Sequence, residues 1–383
     1  MELVLNNKNV LEYLDRNKIC KQEELQFSKI EVKSAQKNNL LVSFSDGRKL
    51  LFKQETRNHE GKNNGYFLNE WKIQELVKRF TALSKIKILL PEIIHFNASH
   101  SILIVNYLND YRDLTDLYIK ENLFPSAIAS LVGSIIGQIH RQTFKCQEYQ
   151  EFFSQASKSV PVQNAFNTFH ELKRIDPEVF SLFPAEGLKF FVLYQRYDTL
   201  GQAIAELATA FCPCCLTHND LKLKNILLHV DWEQALLKNE LATNGIIRLI
   251  DWKRAGWGDP AFDLGMLIAG YLQIWLSSLV INTAIDIEDS LRLAAIPLEQ
   301  IQPSLTGLTN AYVDNFPDIL DHRPDFLCRV VQYSGLGLIH QIQAMIQYQK
   351  TFGNLGICML QVAKTLLCSP EQSMSTVFGK ASV

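Results

Sequence analysis

Apolar positions along this chain change their spacing several times. In "NNKNVLEYLDRN" (6–17), Val10, Leu11 and Leu14 recur at helical intervals, which predicts a short helix. "FSKIEVKSA" (27–35) and "NLLVSFSDGRKLLFKQ" (39–54) read as strands, the second segment as two strands joined by a turn at Ser45-Asp46-Gly47. After a polar link (55–65), "YFLNEWKIQELVKRF" (66–80) returns to the helical period, and "SILIVNYL" (101–108) is a buried strand. From there helical patterns dominate, as in "IASLVGSIIGQIHRQTF" (128–144) and "LCRVVQYSGLGLIHQIQAMIQYQ" (327–349). One pair of strand-like runs interrupts them, "NILLHV" (225–230) and "GIIRLIDW" (245–252). No internal repeat or low-complexity linker occurs. The expected layout is α+β: a small sheet-rich lobe with one helix (1–105), then a larger helical lobe (106–383).

Composition narrows the class. The 383 residues are 47% apolar and 20% charged, the balance of a globular protein with a full core. A net charge of -2 and only sparse clusters such as Lys49, Lys53 and Lys62 argue against a nucleic-acid partner, while leaving room for a modest phosphate site. The cysteine-rich "FCPCC" (211–215) has no second pair at zinc spacing and reads as buried thiols before a strand. The first residues lack the basic and apolar regions of a signal peptide. The run "LGMLIAGYLQIWLSSLVI" (264–281) approaches membrane-span length, but Gln273 and two serines interrupt it and an acidic loop precedes it. A helix buried in the helical lobe is the reading, with a cytoplasmic protein and no membrane partner expected.

The chemistry concentrates in "THNDLKLKNILLH" (217–229). His218, Asp220, Lys222 and Asn225 stand at short fixed offsets before an apolar strand. Phosphoryl transfer requires an acid at the acceptor hydroxyl, ligands for Mg²⁺ and cations on the phosphates. Asp220 and Asn225 on one loop can serve the first two needs. A second metal ligand should come from a strand end, and "IIRLIDW" supplies Asp251, an acid costly to bury without a purpose. "GDPAFDL" (258–264) then sets Asp259 and Asp263 around a proline turn. Each piece alone is weak; the ordered set is a strong signal.

With these motifs the chain, from about residue 6 to about 271, resembles the aminoglycoside phosphotransferase and choline kinase superfamily. The resemblance is sharp at 217–225 and 250–264. It implies a two-lobed protein-kinase-like fold, with a small antiparallel-sheet N-lobe, a mainly helical C-lobe, and ATP or another nucleoside triphosphate bound at the cleft between them. By the same resemblance Asp220 is the catalytic base, Asn225 and Asp251 hold Mg²⁺, His218 orders the loop and Asp263 braces it. The N-lobe should supply a lysine for the phosphates and a carboxylate to position it. Lys53 and Glu70 fit, with an edge-strand lysine and a solvated helix carboxylate as the alternatives, and Glu75 competing with Glu70. Asn106, Tyr107 and Leu108 fall where the hinge meets the nucleobase. His140 resembles a histidine common on its helix and reads as structural. The phosphate-covering turn departs from the pattern: "KSAQKNNLL" (33–41) has no glycine, and Ser34, Asn39 and Lys37 are its polar groups.

The acceptor class is argued from the residues after Asp251. Trp252-Lys253 replaces Phe-Gly, and too few residues precede Asp259 for a long activation segment. That favours a small-molecule hydroxyl. A peptide acceptor, using the insert 160–184 as a platform, and a binding module without catalysis stand as alternatives. Lys222 is sensible beside either acceptor, since charge develops on the phosphoryl oxygens; a solvated loop lysine is the bland reading. Asp314, Asp318 and Asp321 read as a solvated helix end rather than a site for a cationic substrate.

Overall fold

The computed structural model describes residues 3–34, 39–55, 65–156, 185–238, 245–281 and 287–379. The chain forms two compact units, each drawn discontinuously from the sequence rather than cut once at 105/106. The first comprises Met1–Arg112, Gln147–Val162 and Asn225–Ala255, the second Asp113–Cys146, Gln163–Lys224 and Gly256–Val383. The strands among the described residues are β1 (Lys29–Ser34), β2 (Asn39–Ser43), β3 (Lys49–Gln54), β4 (Ile93–Asn97), β5 (Ile102–Asn106), β6 (Tyr111–Asp113), β7 (Cys215–Thr217), β8 (Ile226–His229), β9 (Ile247–Leu249) and β10 (Gly256–Gly258).

In the first unit an antiparallel sheet runs in the order β1-β2-β3-β5-β4. The β2–β3 hairpin closes where Gly47 takes a φ of +87°, a conformation glycine adopts without penalty, and Asp46 caps the turn by accepting from the Arg48 amide. Alternation along β3 sends Leu50 and Phe52 to one face, where they pack with Val42, Ile104 and the helix α1 (Val10–Arg16) through Val10, Tyr13 and Leu14. The other face carries Leu51, Leu103 and Val105 against Phe67 of α2 (Tyr66–Arg79). Lys53 lies opposite Leu103 in the sheet and shares this second face, so the pleat aims it at α2. Strand β4 was not anticipated from the sequence. A second sheet orders β6-β8-β9, with Ile226 opposite Leu249.

Among its described residues the second unit is mainly helical, with a β7–β10 ribbon. Helices α3 (Ser126–Thr143) and α5 (Leu298–Asn315) touch at Gly133 and Gly137, where an added Cβ would strike the Leu308 and Tyr312 carbonyls. Helix α4 (Pro260–Ser277) crosses α6 (Phe326–Ala344) in the same manner: a Cβ on Gly265 would lie 2.8 Å from the Val330 carbonyl oxygen. The residues of α4 are buried along almost its whole length, which explains an apolar run with no polar stripe. Among the described residues no helix is long and apolar enough to cross a membrane.

Candidate active site

The loop after β7 is held from below by one carboxylate. Asp263, on the first turn of α4, accepts from the His218 amide at 2.6 Å and the Asn219 amide at 2.8 Å. The same carboxylate meets His140 Nε2 at 3.3 Å, while His140 Nδ1 lies 2.9 Å from the Tyr312 hydroxyl. All three side chains are buried. Burial would be costly for a lone carboxylate, and these donors offset it. Asn219 takes a left-handed φ of 58°, and its Oδ1 accepts from the Thr217 hydroxyl, which also donates to the Gly256 carbonyl. Gly258 leaves the room for this knot; its absent Cβ would run into Thr217 Oγ1 and Asn219 Oδ1. The result is a fixed backbone at Asp220. Its amide donates to His218 Nδ1 at 3.3 Å, and its carboxylate receives Lys222 Nζ at 3.2 and 3.1 Å. Below the turn, Asp259 caps α4 by accepting from the Ala261 amide and takes Arg323 Nη1 at 2.6 Å, a buried pair.

The first unit holds the other residues expected to carry function. Lys53 Nζ donates to Glu70 Oε1 at 3.2 Å, and the Glu70 side chain is 2% exposed. Burial alone would lower the lysine's pKa. The Glu70 charge, then that of Asp251, more than offset it, so the pKa is raised and the ammonium persists. Glu75 faces Lys78 on the outside of α2 instead. Asn225 immediately precedes β8, its side chain buried, and its carbonyl accepts from the Ile250 amide at 2.9 Å. The β8–β9 register therefore brings Asn225 next to Ile250, the neighbour of Asp251. Asp251 turns the chain with a left-handed φ of 68°, which aspartate tolerates better than most residues. Its Oδ2 accepts from Lys253 Nζ at 2.6 Å. Asn69, beside Glu70 on α2, donates to the Lys253 and Ala255 carbonyls at 3.1 and 2.6 Å and pins this turn.

The model of APH, the phosphotransferase enzyme family, matches residues 73–288, more than half of the chain. The chain belongs to this phosphotransferase family. No curated protein matches it detectably in sequence. Among solved structures, the choline kinase LicA from Streptococcus pneumoniae is 14% identical, with 94% of this chain and 99% of that one covered at a TM-score of 0.48. A choline/ethanolamine kinase family protein from Mesorhizobium loti is 16% identical, covering 96% and 99% at 0.49. A gentamicin complex of APH(2")-IIa is 15% identical, covering 97% and 99% at 0.47.

Around the remaining expected positions of this phosphotransferase, Ser34 ends β1 opposite Asn39, which opens β2. Lys37, Lys62 and the insert 160–184 lie outside the described residues. The Asn106 amide donates to the Glu92 carbonyl and the Tyr107 amide to the Lys49 carbonyl, both at 2.9 Å, so these two donors are engaged in the sheet; Leu108 lies just past the end of β5. Asp314, Asp318 and Asp321 are exposed. Of "FCPCC", Cys214 and Cys215 are buried free thiols. Desolvation pushes the Cys215 pKa well up, which keeps the thiol protonated and unreactive. Sequence reasoning missed Asn69 and Arg323, because each acts through a partner distant in the chain, and Lys253, because a lysine two residues after an acid does not by itself reveal an ion pair. His140, read as structural from its resemblance to a histidine common on its helix, also sits four residues after Ile136 on the apolar stripe of α3.

Proposed function

We propose that this phosphotransferase moves the γ-phosphoryl group of ATP to a hydroxyl of a small molecule. One observation carries the reading: Asp220 extends from a backbone fixed at His218 and Asn219 by Asp263, five residues before Asn225. As base, Asp220 takes the proton of the acceptor hydroxyl while the hydroxyl oxygen attacks the γ-phosphorus and the bond to the β-phosphate breaks, releasing ADP. Lys222, which holds the Asp220 carboxylate here, turns to the phosphoryl oxygens as charge builds on them. Lys53, kept charged and aimed by Glu70, takes the phosphates of the nucleotide. Asn225 and Asp251 offer an amide and a carboxylate oxygen, the hard donors that suit Mg²⁺. The ion, when bound, would neutralise charge on the phosphates.

Support for a small acceptor comes from the segment between Asp251 and Asp259. It is taken up by a short turn, Trp252–Arg254, and the strand β10, so it offers a peptide no extended platform. The test is ATP consumption by the purified protein with amino alcohols, aminoglycosides, sugars and Ser/Thr peptides. A small-molecule acceptor is expected, and turnover should fall about 10²–10⁴-fold in Asp220→Asn. Near-wild-type transfer by that variant sinks the base assignment; phosphorylation of peptides alone sinks the acceptor class.

A further inference from the structure

The ion pair beside the proposed metal ligands uses a residue that the proposed reaction leaves idle. Lys253 Nζ lies 2.6 Å from Asp251 Oδ2, with both side chains about three-quarters buried at 24% and 23% exposure. The Lys253 carbonyl accepts from Asn69, which holds the turn from which the ammonium reaches back to Asp251. Lys53 and Glu70 sit on the same unit, and the Asp251 charge reaches Lys53. Each of the two carboxylates, Glu70 and Asp251, already faces an ammonium, Lys53 and Lys253 in turn. A divalent cation arriving alone would therefore displace an ammonium from Asp251 without gaining a net negative site. A cation arriving on a nucleoside triphosphate brings its own anionic phosphates, which receive the released ammonium.

We infer that Lys253 is a resident counter-ion on Asp251, which keeps free divalent metal out and admits it as the metal–nucleotide complex. This rests on the proposed ligand role of Asp251. Replacing Lys253 by an uncharged residue of similar length leaves Asp251 open to a lone cation, whereas arginine restores the block.

The experiment is binding of Mn²⁺ to the full chain without nucleotide, read by the loss of the free-ion electron paramagnetic resonance signal. Lys253→Met is expected to bind about tenfold more tightly than the wild-type chain, equal to ~1.4 kcal/mol. Lys253→Arg should bind as weakly as wild type, and Asp251→Asn added to Lys253→Met should abolish the gain. Equal affinity in wild type and Lys253→Met overturns the inference, as does tight binding in Lys253→Arg, because charge would not be the cause. The underlying reading fails by a different result: Mn²⁺ binding in the presence of ATP that Asp251→Asn leaves unchanged.

Discussion

The loop that carries Asp220 and the turn that carries Asp251 each present one carboxylate, yet they are held by different physics. Asp263 anchors the first through two backbone amides and His140, with 1% of either side chain exposed. Those partners are fixed parts of the fold, so the anchor has one geometry and no substitute. Asp251 is held at its carboxylate by an ammonium on a flexible stem, in a pair left about one-quarter exposed. Such a partner can be exchanged for another cation. Position is thus stored in hydrogen bonds to the backbone, and responsiveness in ion pairs with side chains. On the proposed roles, Asp220 as a base in a fixed place and Asp251 as a ligand to an incoming ion, these opposite solutions fit.

Four substitutions sharpen or break the contrast, beginning with the largest effect. Asp263→Ala strands the buried His218 amide, the part-buried Asn219 amide and His140, and is expected to cost about 3–5 kcal/mol in urea unfolding; a loss below about 1 kcal/mol would mean that the loop is held by something else. Gly258→Ala should cost about 1–3 kcal/mol, since the added methyl meets Thr217 and Asn219. The same denaturation assay checks it, and a neutral result would show that the knot around Asn219 is loose. Lys222→Ala should lower kcat about tenfold with little change in acceptor KM, the signature of a contact strongest in the transition state. A raised KM with kcat intact would make Lys222 a substrate-binding residue instead. Least of all, Glu75→Ala should change stability by under about 0.5 kcal/mol, because the Glu75–Lys78 pair is nearly half exposed. A larger loss there would break the link drawn between exposure and exchangeability.

Legibility in the sequence divides along the same line. The α+β layout could be read because alternation in "KLLFKQ" and the helical period in "YFLNEWKIQELVKRF" are local signals that their tertiary settings happen to agree with. Asp220, Asn225 and Asp251 were visible as spacing. The strand β10 was not: three residues reading Gly-Trp-Gly give no period to detect, and its pairing joins Gly256 to Thr217 across the chain. Strand β4 hid because only Ile93 of its five residues is buried, which leaves no alternation. The left-handed turns at Asn219 and Asp251 were silent too, since neither residue type requires that conformation. Contacts made by a backbone carbonyl, such as Asn69 to Lys253, leave no trace in residue identity at the accepting end.

The uniform apolar surface of α4 also matters before the protein is complete. Its principal cover, α6, comes later in the chain and ends only at Ala344. At translation rates of about 5–20 residues per second, α4 leaves the ribosome several seconds before the helix that shields it. During that interval a segment of nearly membrane-span length is exposed to chaperones and to other nascent chains. A chain stopped at Asp325 never receives the cover and is expected to collect in the insoluble fraction; a soluble product of that length would mean that other helices suffice to hide α4.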